Sequence, residues 1–156
     1  MVLDLNHNLS KERLFYADST FFSIFSFEVI RGNALDCLKE PFSLAISESY
    51  AKKYFGELPE IGSILNVNHS GQNKPYTITA IYKDFPHNSH IKASIIGSFS
   101  SLYSIRHPMM MSSWMASNHY TYVLLAEGTD VNLFKEDLQN MVDKYFGPDF
   151  KKFLNI

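Results

Sequence analysis

The stretch that decides the fold is FSLAISESYAKKYFG, residues 42–56. Its first five residues form a compact apolar run after Pro41, which predicts a strand. Ser47 then supplies an N-cap hydroxyl, and Gly56 supplies the residue best suited to a left-handed helix end. Between them, Tyr50 and Tyr54 lie on one helix face. The stretch therefore predicts a strand followed by a helix near 48–55.

The residues that follow predict a β-hairpin. Apolar and β-branched residues at 64–68 and 76–82 flank a polar segment at 69–75, which predicts a loop longer than a tight turn. After a polar break at 83–90, the apolar segment 91–99 predicts a strand that leads into a helix near 100–105.

The residues upstream predict short elements with an aromatic face. Residues 13–16 favour a short strand, and residues 18–20 supply cap-type side chains ahead of one helical turn at 21–25. Residues 27–30 alternate and stop at Gly32, which predicts a strand and a turn. We expect the aromatic side chains of 21–27 to belong to the core.

The C-terminal part predicts a loop, a strand and a long helix. Residues 106–118 have no clear period, whereas 120–125 predict a strand. Asp130 predicts the cap of a helix that ends at Gly147-Pro148. Its apolar stripe has 3/4 spacing and is expected to face a sheet: Val131, Phe134, Leu138, Met141, Val142 and Tyr145. Strands and helices mix along the chain, so the fold class is α+β.

Composition excludes several classes of protein. The chain has 156 residues, enough for one domain or two small lobes. Its net charge of −2 and the lack of a basic run argue against nucleic-acid binding. One cysteine excludes an internal disulfide and a cysteine-based zinc site. No apolar stretch approaches the roughly 20 residues of a membrane helix.

Four segments, taken in order and spacing, resemble a known family. They are YADSTFFSIFSF (16–27) followed by Gly32, ISESYAKKYFG (46–56) with Ile61-Gly62, YTITAIYKDFP (76–86) with Asn88-Ser89-His90, and NHYTYVLLAEGTD (118–130). Together they resemble the MacB-like periplasmic core domain, in the version found in FtsX-like ABC transporter permeases of Bacteroidetes. The resemblance spans roughly residues 12–145.

The resemblance implies a two-lobed domain. Residues 42–90 look like a β-rich, Sabre-like lobe, inserted in an α/β porter-like lobe made of 1–41 and 91–156. The porter-like lobe is expected to be partial, with its N-terminal segment missing. The family's domain lies outside the bacterial inner membrane, between two membrane helices of a permease. The implied partners are a cytoplasmic ATP-binding subunit, a second permease copy and a periplasmic protein.

Two polar motifs could carry chemistry, but each has a simpler interpretation. His87 and His90, with Asp84 nearby, have the spacing of metal ligands; however, Pro86 and the polar residues around it favour a turn whose side chains bond to backbone. Residues 47–49 read Ser-Glu-Ser after a strand, as at a nucleophilic serine, yet the glycines of such an elbow are absent. A helix cap is the favoured interpretation.

The remaining candidates are a thiol, the glycines and a methionine-rich loop. Cys37 has no activating partner in the sequence, and the glycines lack the Lys-Ser/Thr of a phosphate loop. No catalytic residue, metal or cofactor is therefore predicted, and ATP is expected on a separate subunit. Methionines make adaptable contact surfaces, so one loop is predicted either to contact a partner or to cap the core: Met109, Met110, Met111, Trp114 and Met115.

The sequence thus predicts a non-enzymatic, extracytoplasmic domain of a permease, which couples ATP-driven motion of membrane helices to a periplasmic substrate or partner. The competing hypothesis is a free-standing secreted protein with a ligand-binding or enzymatic role. The coding sequence on each side discriminates between them, because flanking membrane helices favour the permease. A signal peptide and a stop after Ile156 favour the rival.

Overall fold

The computed structural model describes residues 2–5, 8–11, 14–69, 72–106, 111 and 119–154. The chain divides into two compact units, Met1–Ile105 and Arg106–Ile156. None of the helices in the described ranges is long and apolar enough to cross a membrane.

The described strands of the first unit form one mixed eight-stranded sheet. Seven strands lie in the order β2-β1-β6-β7-β5-β8-β3, and β4 pairs with β7 off this path. The strands are β1 (Val2–Leu5), β2 (Asn8–Lys11), β3 (Leu14–Ala17), β4 (Val29–Gly32), β5 (Ser43–Ser47), β6 (Ile64–His69), β7 (Gln72–Tyr82) and β8 (Ile95–Ser98). The pairs β3·β8 and β5·β7 are parallel, and the other pairs are antiparallel.

The helices of this unit are short. They are α1 (Phe21–Phe25), α2 (Glu48–Phe55) and α3 (Leu102–Ile105), the last preceded by a 3₁₀ turn at Phe99–Ser101. The α+β class predicted from the sequence is confirmed, and so are the strands and helices predicted between residues 13 and 56, with bounds that differ by one or two residues.

Strand β5 is an interior strand of the sheet. It lies between β7 and β8, and all five of its residues are buried. Such a strand contacts covering residues on both faces, which explains why its sequence is an apolar run rather than an alternation. Leu44 and Ile46 belong to one hydrophobic cluster, and Ala45 belongs to the other.

A β-bulge in β7 divides that strand between the two clusters. Leu44 of β5 pairs with Ile78, but the next residue, Ala45, pairs with Ala80, so Thr79 is the extra residue. A bulge of one residue reverses the alternation of the side chains that follow it. Tyr76 and Ile78 therefore lie in the first cluster, whereas Ala80 and Tyr82 lie in the second.

Different elements cover the two faces. Helix α2 covers the first with Tyr50 and Ala51, which are 3% and 0% exposed. Phe22 of α1 and the turn residues Cys37 and Leu38 cover the second. The expectation that the aromatic residues of 21–27 belong to the core holds for Phe22, which is 3% exposed, while its aromatic neighbours are half-buried.

The hairpin of β6 and β7 is tighter than the sequence predicts. The ladder continues as far as the pair His69–Gln72, so the polar segment 72–75 belongs to β7 and the predicted long loop is wrong. Asn68 Nδ2 donates to Asn73 Oδ1 at 2.7 Å, across this end of the ladder. Polar side chains at an exposed hairpin end can hydrogen-bond to one another across the two strands. A polar sequence there does not by itself predict a loop.

The second unit contains a long helix, α4 (Val131–Leu154). Asp130 caps it as predicted: its Oδ1 accepts from the backbone N–H of Asn132 at 2.8 Å. The predicted end at Gly147-Pro148 is wrong, because the helix continues to Leu154. A proline removes one helical hydrogen bond and favours a kink, but it does not oblige a helix to stop.

The predicted strand at 120–125 is also wrong, since residues 119–126 belong to no ladder in the described part of the chain. A strand needs a partner for its backbone groups, and the apolar composition of 120–125 does not supply one. Tyr120 and Leu124 are 91% and 73% exposed. Leu138 and Met141 of the α4 stripe are 39% and 40% exposed, so the stripe is not buried within the second unit.

The lobes predicted at 42–90 and at 1–41 with 91–156 stay a prediction. Residues of both predicted lobes share the sheet of the first unit, because β8 and β3 extend it beyond β5. The described residues of 42–90 contain three strands and the helix α2, as expected for a β-rich segment.

Candidate functional site

The predicted contact loop lies almost wholly outside the described residues. Met109, Met110, Trp114 and Met115 fall there, and Met111 is described as a helical, half-buried residue. The loop as a partner contact therefore stays a prediction.

The three side chains considered as metal ligands, Asp84, His87 and His90, do not form a metal-binding group. His87 and His90 are exposed residues of the segment between β7 and β8. Asp84 instead bonds to helix α2, where its Oδ2 accepts from the backbone N–H of Ser49 at 3.0 Å. Among the described residues, no group of three His, Cys, Asp or Glu side chains could hold a metal ion.

Asp84 and two serines together cap helix α2. Ser47 Oγ accepts from the backbone N–H of Tyr50 at 3.3 Å, and Ser49 Oγ donates to Asp84 Oδ1 at 2.5 Å. Burial alone would raise the pKa of Asp84, but the hydrogen bonds from Ser49 and Ser47 outweigh it and lower that pKa. A carboxylate at a helix N-terminus is also stabilised by the helix dipole.

This arrangement agrees with the helix-cap interpretation of residues 47–49. Both serine hydroxyls take part in the cap, and the partner of Ser49 Oγ is a carboxylate rather than an imidazole base. The sequence predicts the cap role of Ser47 because the signal is local, whereas Asp84 lies 35 residues beyond Ser49 in the chain.

Cys37 is a buried structural side chain, only 3% exposed. Its Sγ lies 3.7 Å from the carbonyl oxygen of Ala34, a weak hydrogen bond within the turn. Burial raises the pKa of the thiol to about 11, with a smaller opposing effect of a backbone hydrogen bond. Because the thiolate is the nucleophile, this thiol is unreactive at neutral pH.

We expect Cys37 to resist a thiol reagent such as a water-soluble aromatic disulfide at pH 7.5, and to react fully once the chain is unfolded in urea. The reason is that the native thiol is both buried and protonated. The absorbance of the released thiol measures the reaction. Rapid stoichiometric labelling of the native chain would contradict the structure.

A polar cluster that the sequence did not reveal lies on the first face of the sheet. Tyr16 of β3, His69 of β6 and Tyr76 of β7 form a triangle of hydrogen-bonding atoms. The Tyr16 and Tyr76 hydroxyl oxygens are 3.0 Å apart, and His69 Nε2 lies 3.1 Å from the Tyr76 oxygen and 3.3 Å from that of Tyr16. The three residues are separated by up to 60 positions, so no local pattern connects them.

Electrostatics of the cluster favour neutral side chains. Burial lowers the pKa of His69, and the positive charge of Lys74 lowers it further. Burial raises the pKa of Tyr76, although hydrogen bonds to Tyr16 and Ser101 oppose that shift. In the neutral tautomer of His69 that carries its proton on Nδ1, one hydroxyl donates to Nε2 and the other donates to the first hydroxyl.

Comparisons with known proteins agree with one another. The chain matches the MacB-like periplasmic core domain over residues 4–141. A domain of a putative permease from Porphyromonas gingivalis has a TM-score of 0.74 and 25% identity, and the alignment covers 92% of this chain and 64% of that one. The periplasmic region of MacB from Actinobacillus actinomycetemcomitans has a TM-score of 0.64 and 11% identity, with 94% and 63% covered. No curated protein matches the chain.

The two solved domains are longer than this chain, which spans just under two thirds of each. At 11% identity the second likeness shows the fold alone. The family match extends over most of the chain, from β1 into α4, and includes both the capped helix α2 and the tyrosine–histidine cluster. The resemblance read from the sequence is thereby confirmed: the chain belongs to the family of MacB-like periplasmic core domains.

Proposed function

We propose that this chain is the extracytoplasmic domain of an ABC transporter permease, and that it couples ATP-driven motion of the membrane helices to a periplasmic substrate or partner. The observation that carries the proposal is the family match over residues 4–141. The likeness to a domain of a putative permease, over 92% of this chain, supports it.

The construction of the first unit suits a transmitter of motion. A domain that passes on displacement must resist deformation, and well-packed cores are stiff. Here β5 is buried on both faces. Because of the bulge at Thr79, the neighbouring strand β7 contributes side chains to both hydrophobic clusters. Thr79 Oγ1 donates to the carbonyl oxygens of Cys37 and Leu44, at 2.6 and 3.0 Å, which fixes the bulge to both neighbours.

Polar groups of the first unit support a role without catalysis. The hydroxyls of Ser47 and Ser49 belong to a helix cap, and the thiol of Cys37 is buried. The proposed domain holds no cofactor, and ATP binds to a separate cytoplasmic subunit. The proposed partners are that subunit, a second permease copy and a periplasmic protein.

The proposal keeps the lobes and the contact loop expected from the sequence. A β-rich lobe at 42–90 would move with a porter-like lobe of 1–41 and 91–156. The loop with Met109, Met110, Met111, Trp114 and Met115 would touch the periplasmic partner. Flexible thioethers and one indole form the kind of surface that adapts to a partner.

In the full-length permease, replacement of Met110, Met111 and Trp114 by serine should reduce transport or partner capture by about tenfold or more. A tenfold loss corresponds to about 1.4 kcal/mol of contact energy. ATP hydrolysis should persist, because it takes place on another subunit. Transport and ATPase activity, measured in the same proteoliposomes, separate the two effects.

A matched control replaces three exposed apolar side chains of the first unit, Leu35, Ile61 and Tyr103, by serine. This control should leave both activities unchanged. Unfolding of the loop variant would mean that the loop belongs to the core. A folded variant with normal transport, or a parallel fall of transport and hydrolysis, would contradict the proposed contact.

A further inference from the structure

The tyrosine–histidine cluster joins an edge of the sheet to its interior. Strand β3 ends the described strand order and pairs with β8. Tyr16 is the register partner of Gly97 in β8, and a Cβ at Gly97 would come within 2.9 Å of the Tyr16 ring. The ring thus passes close over the glycine and carries its hydroxyl to Tyr76 and His69.

The cluster continues from there into the core. Tyr76 is 0% exposed and also bonds to Ser101, whose Oγ accepts from the backbone N–H of Phe42 at 2.8 Å. Phe42 in turn packs edge-on against the Tyr76 ring, with centroids 5.3 Å apart. His69 Nε2 therefore belongs to a network of hydrogen bonds that connects β3, the β6–β7 hairpin and the residue that precedes β5.

We propose that Tyr16, His69 and Tyr76 form a pH-sensitive latch, which holds β3 to the β6–β7 hairpin at neutral pH and loosens on acidification. The geometry carries the proposal, because the three polar atoms lie within 3.0 to 3.3 Å of one another and come from three strands. In the neutral tautomer with its proton on Nδ1, Nε2 offers a lone pair to a hydroxyl, whereas in the imidazolium Nε2 can only donate.

Protonation changes the cluster in a definite way. The hydroxyl that donated to Nε2 must turn to another acceptor, and a positive charge is left in a half-buried site. The groups that act on His69 are Lys74 and the hydroxyls of Tyr16 and Tyr76. The positive charge of Lys74 opposes protonation.

The direction of the pH effect follows from the lowered pKa of His69. In the unfolded chain a histidine titrates near 6.5. Below that pH the open form binds a proton more readily than the closed form, so the closed form loses stability as the pH falls. At pH 5.5, about one unit below the free value, opening should be favoured by up to about tenfold.

Amide hydrogen exchange of β3, followed by NMR at pH 7.5 and pH 5.5, tests the latch. After correction for intrinsic exchange, protection of the β3 amides should fall by up to about tenfold at the lower pH. His69→Gln, which keeps a hydrogen-bonding group that does not titrate, should abolish this difference. Tyr16→Phe should lower β3 protection already at pH 7.5 and leave little further pH dependence.

The matched control is His87→Gln, an exposed histidine outside the cluster, which should keep the wild-type response. If His69→Gln does not fold, the pKa of His69 is measured in the wild-type chain from its imidazole resonance. The latch requires that pKa to lie below 6.5. The proposal is overturned by β3 protection that is independent of pH, by a His69 pKa at or above 6.5, or by loss of the response in His87→Gln.

Discussion

Leu44→Ala should lower the free energy of unfolding by about 2–5 kcal/mol, the usual cost of truncating a buried leucine. Leu44 is 0% exposed and lies in the interior strand β5, between β7 and β8. Its side chain belongs to the cluster under helix α2, and a rigid sheet cannot collapse fully into the resulting cavity. Urea unfolding of the purified chain, followed by circular dichroism, measures the change.

The matched control is Leu35→Ala, in the turn between β4 and β5. Leu35 is 67% exposed, so the same chemical change should alter the free energy of unfolding by no more than about 0.5 kcal/mol. Equal effects of the two substitutions would contradict the buried, interior position of β5.

Gly32→Ala is expected to cost about 2–5 kcal/mol of unfolding free energy, for two reasons that add. Gly32 has φ +93°, which an L side chain adopts at a cost of about 1–2 kcal/mol. A Cβ there would also overlap the backbone oxygen of Thr79, and steric overpacking costs about 1–3 kcal/mol. The oxygen belongs to the bulge in β7, so it cannot move without disturbing both clusters.

Gly56→Ala separates the two causes. Gly56 also has a positive φ, +76°, at the end of α2, but a Cβ there meets no atom within 4 Å. It should cost only the conformational part, about 1–2 kcal/mol. If both alanine variants are destabilised equally, the close approach of Gly32 to Thr79 is not important for stability.

The sequence by itself determined the elements whose signals are local. The apolar run of β5, the hydroxyl of Ser47 and the glycine at position 56 were enough to place a strand and a capped helix, and the structure confirms both. The order and spacing of several such segments also identified the family. These features depend only on residues that are close in the sequence, so the sequence is enough to predict them.

Local signals failed where an element depends on a partner distant in sequence. Residues 120–125 have the composition of a strand, but a strand exists only where another backbone pairs with it, and the described residues supply none. The polar residues 72–75 have the composition of a loop, yet pairing with β6 makes them part of β7. Composition predicted the wrong state in both cases, because hydrogen-bond pairing between strands decides it.

Only the tertiary structure decided what the polar groups do. Asp84 could be interpreted as a metal ligand or a turn residue, and its contact with Ser49 makes it part of the cap of α2. Tyr16, His69 and Tyr76 carry no motif, and they meet because the sheet brings three strands to one place. A site made by distant residues has no local pattern, because each residue was placed by the packing of its own strand. The geometry that joins them is therefore a property of the sheet as a whole.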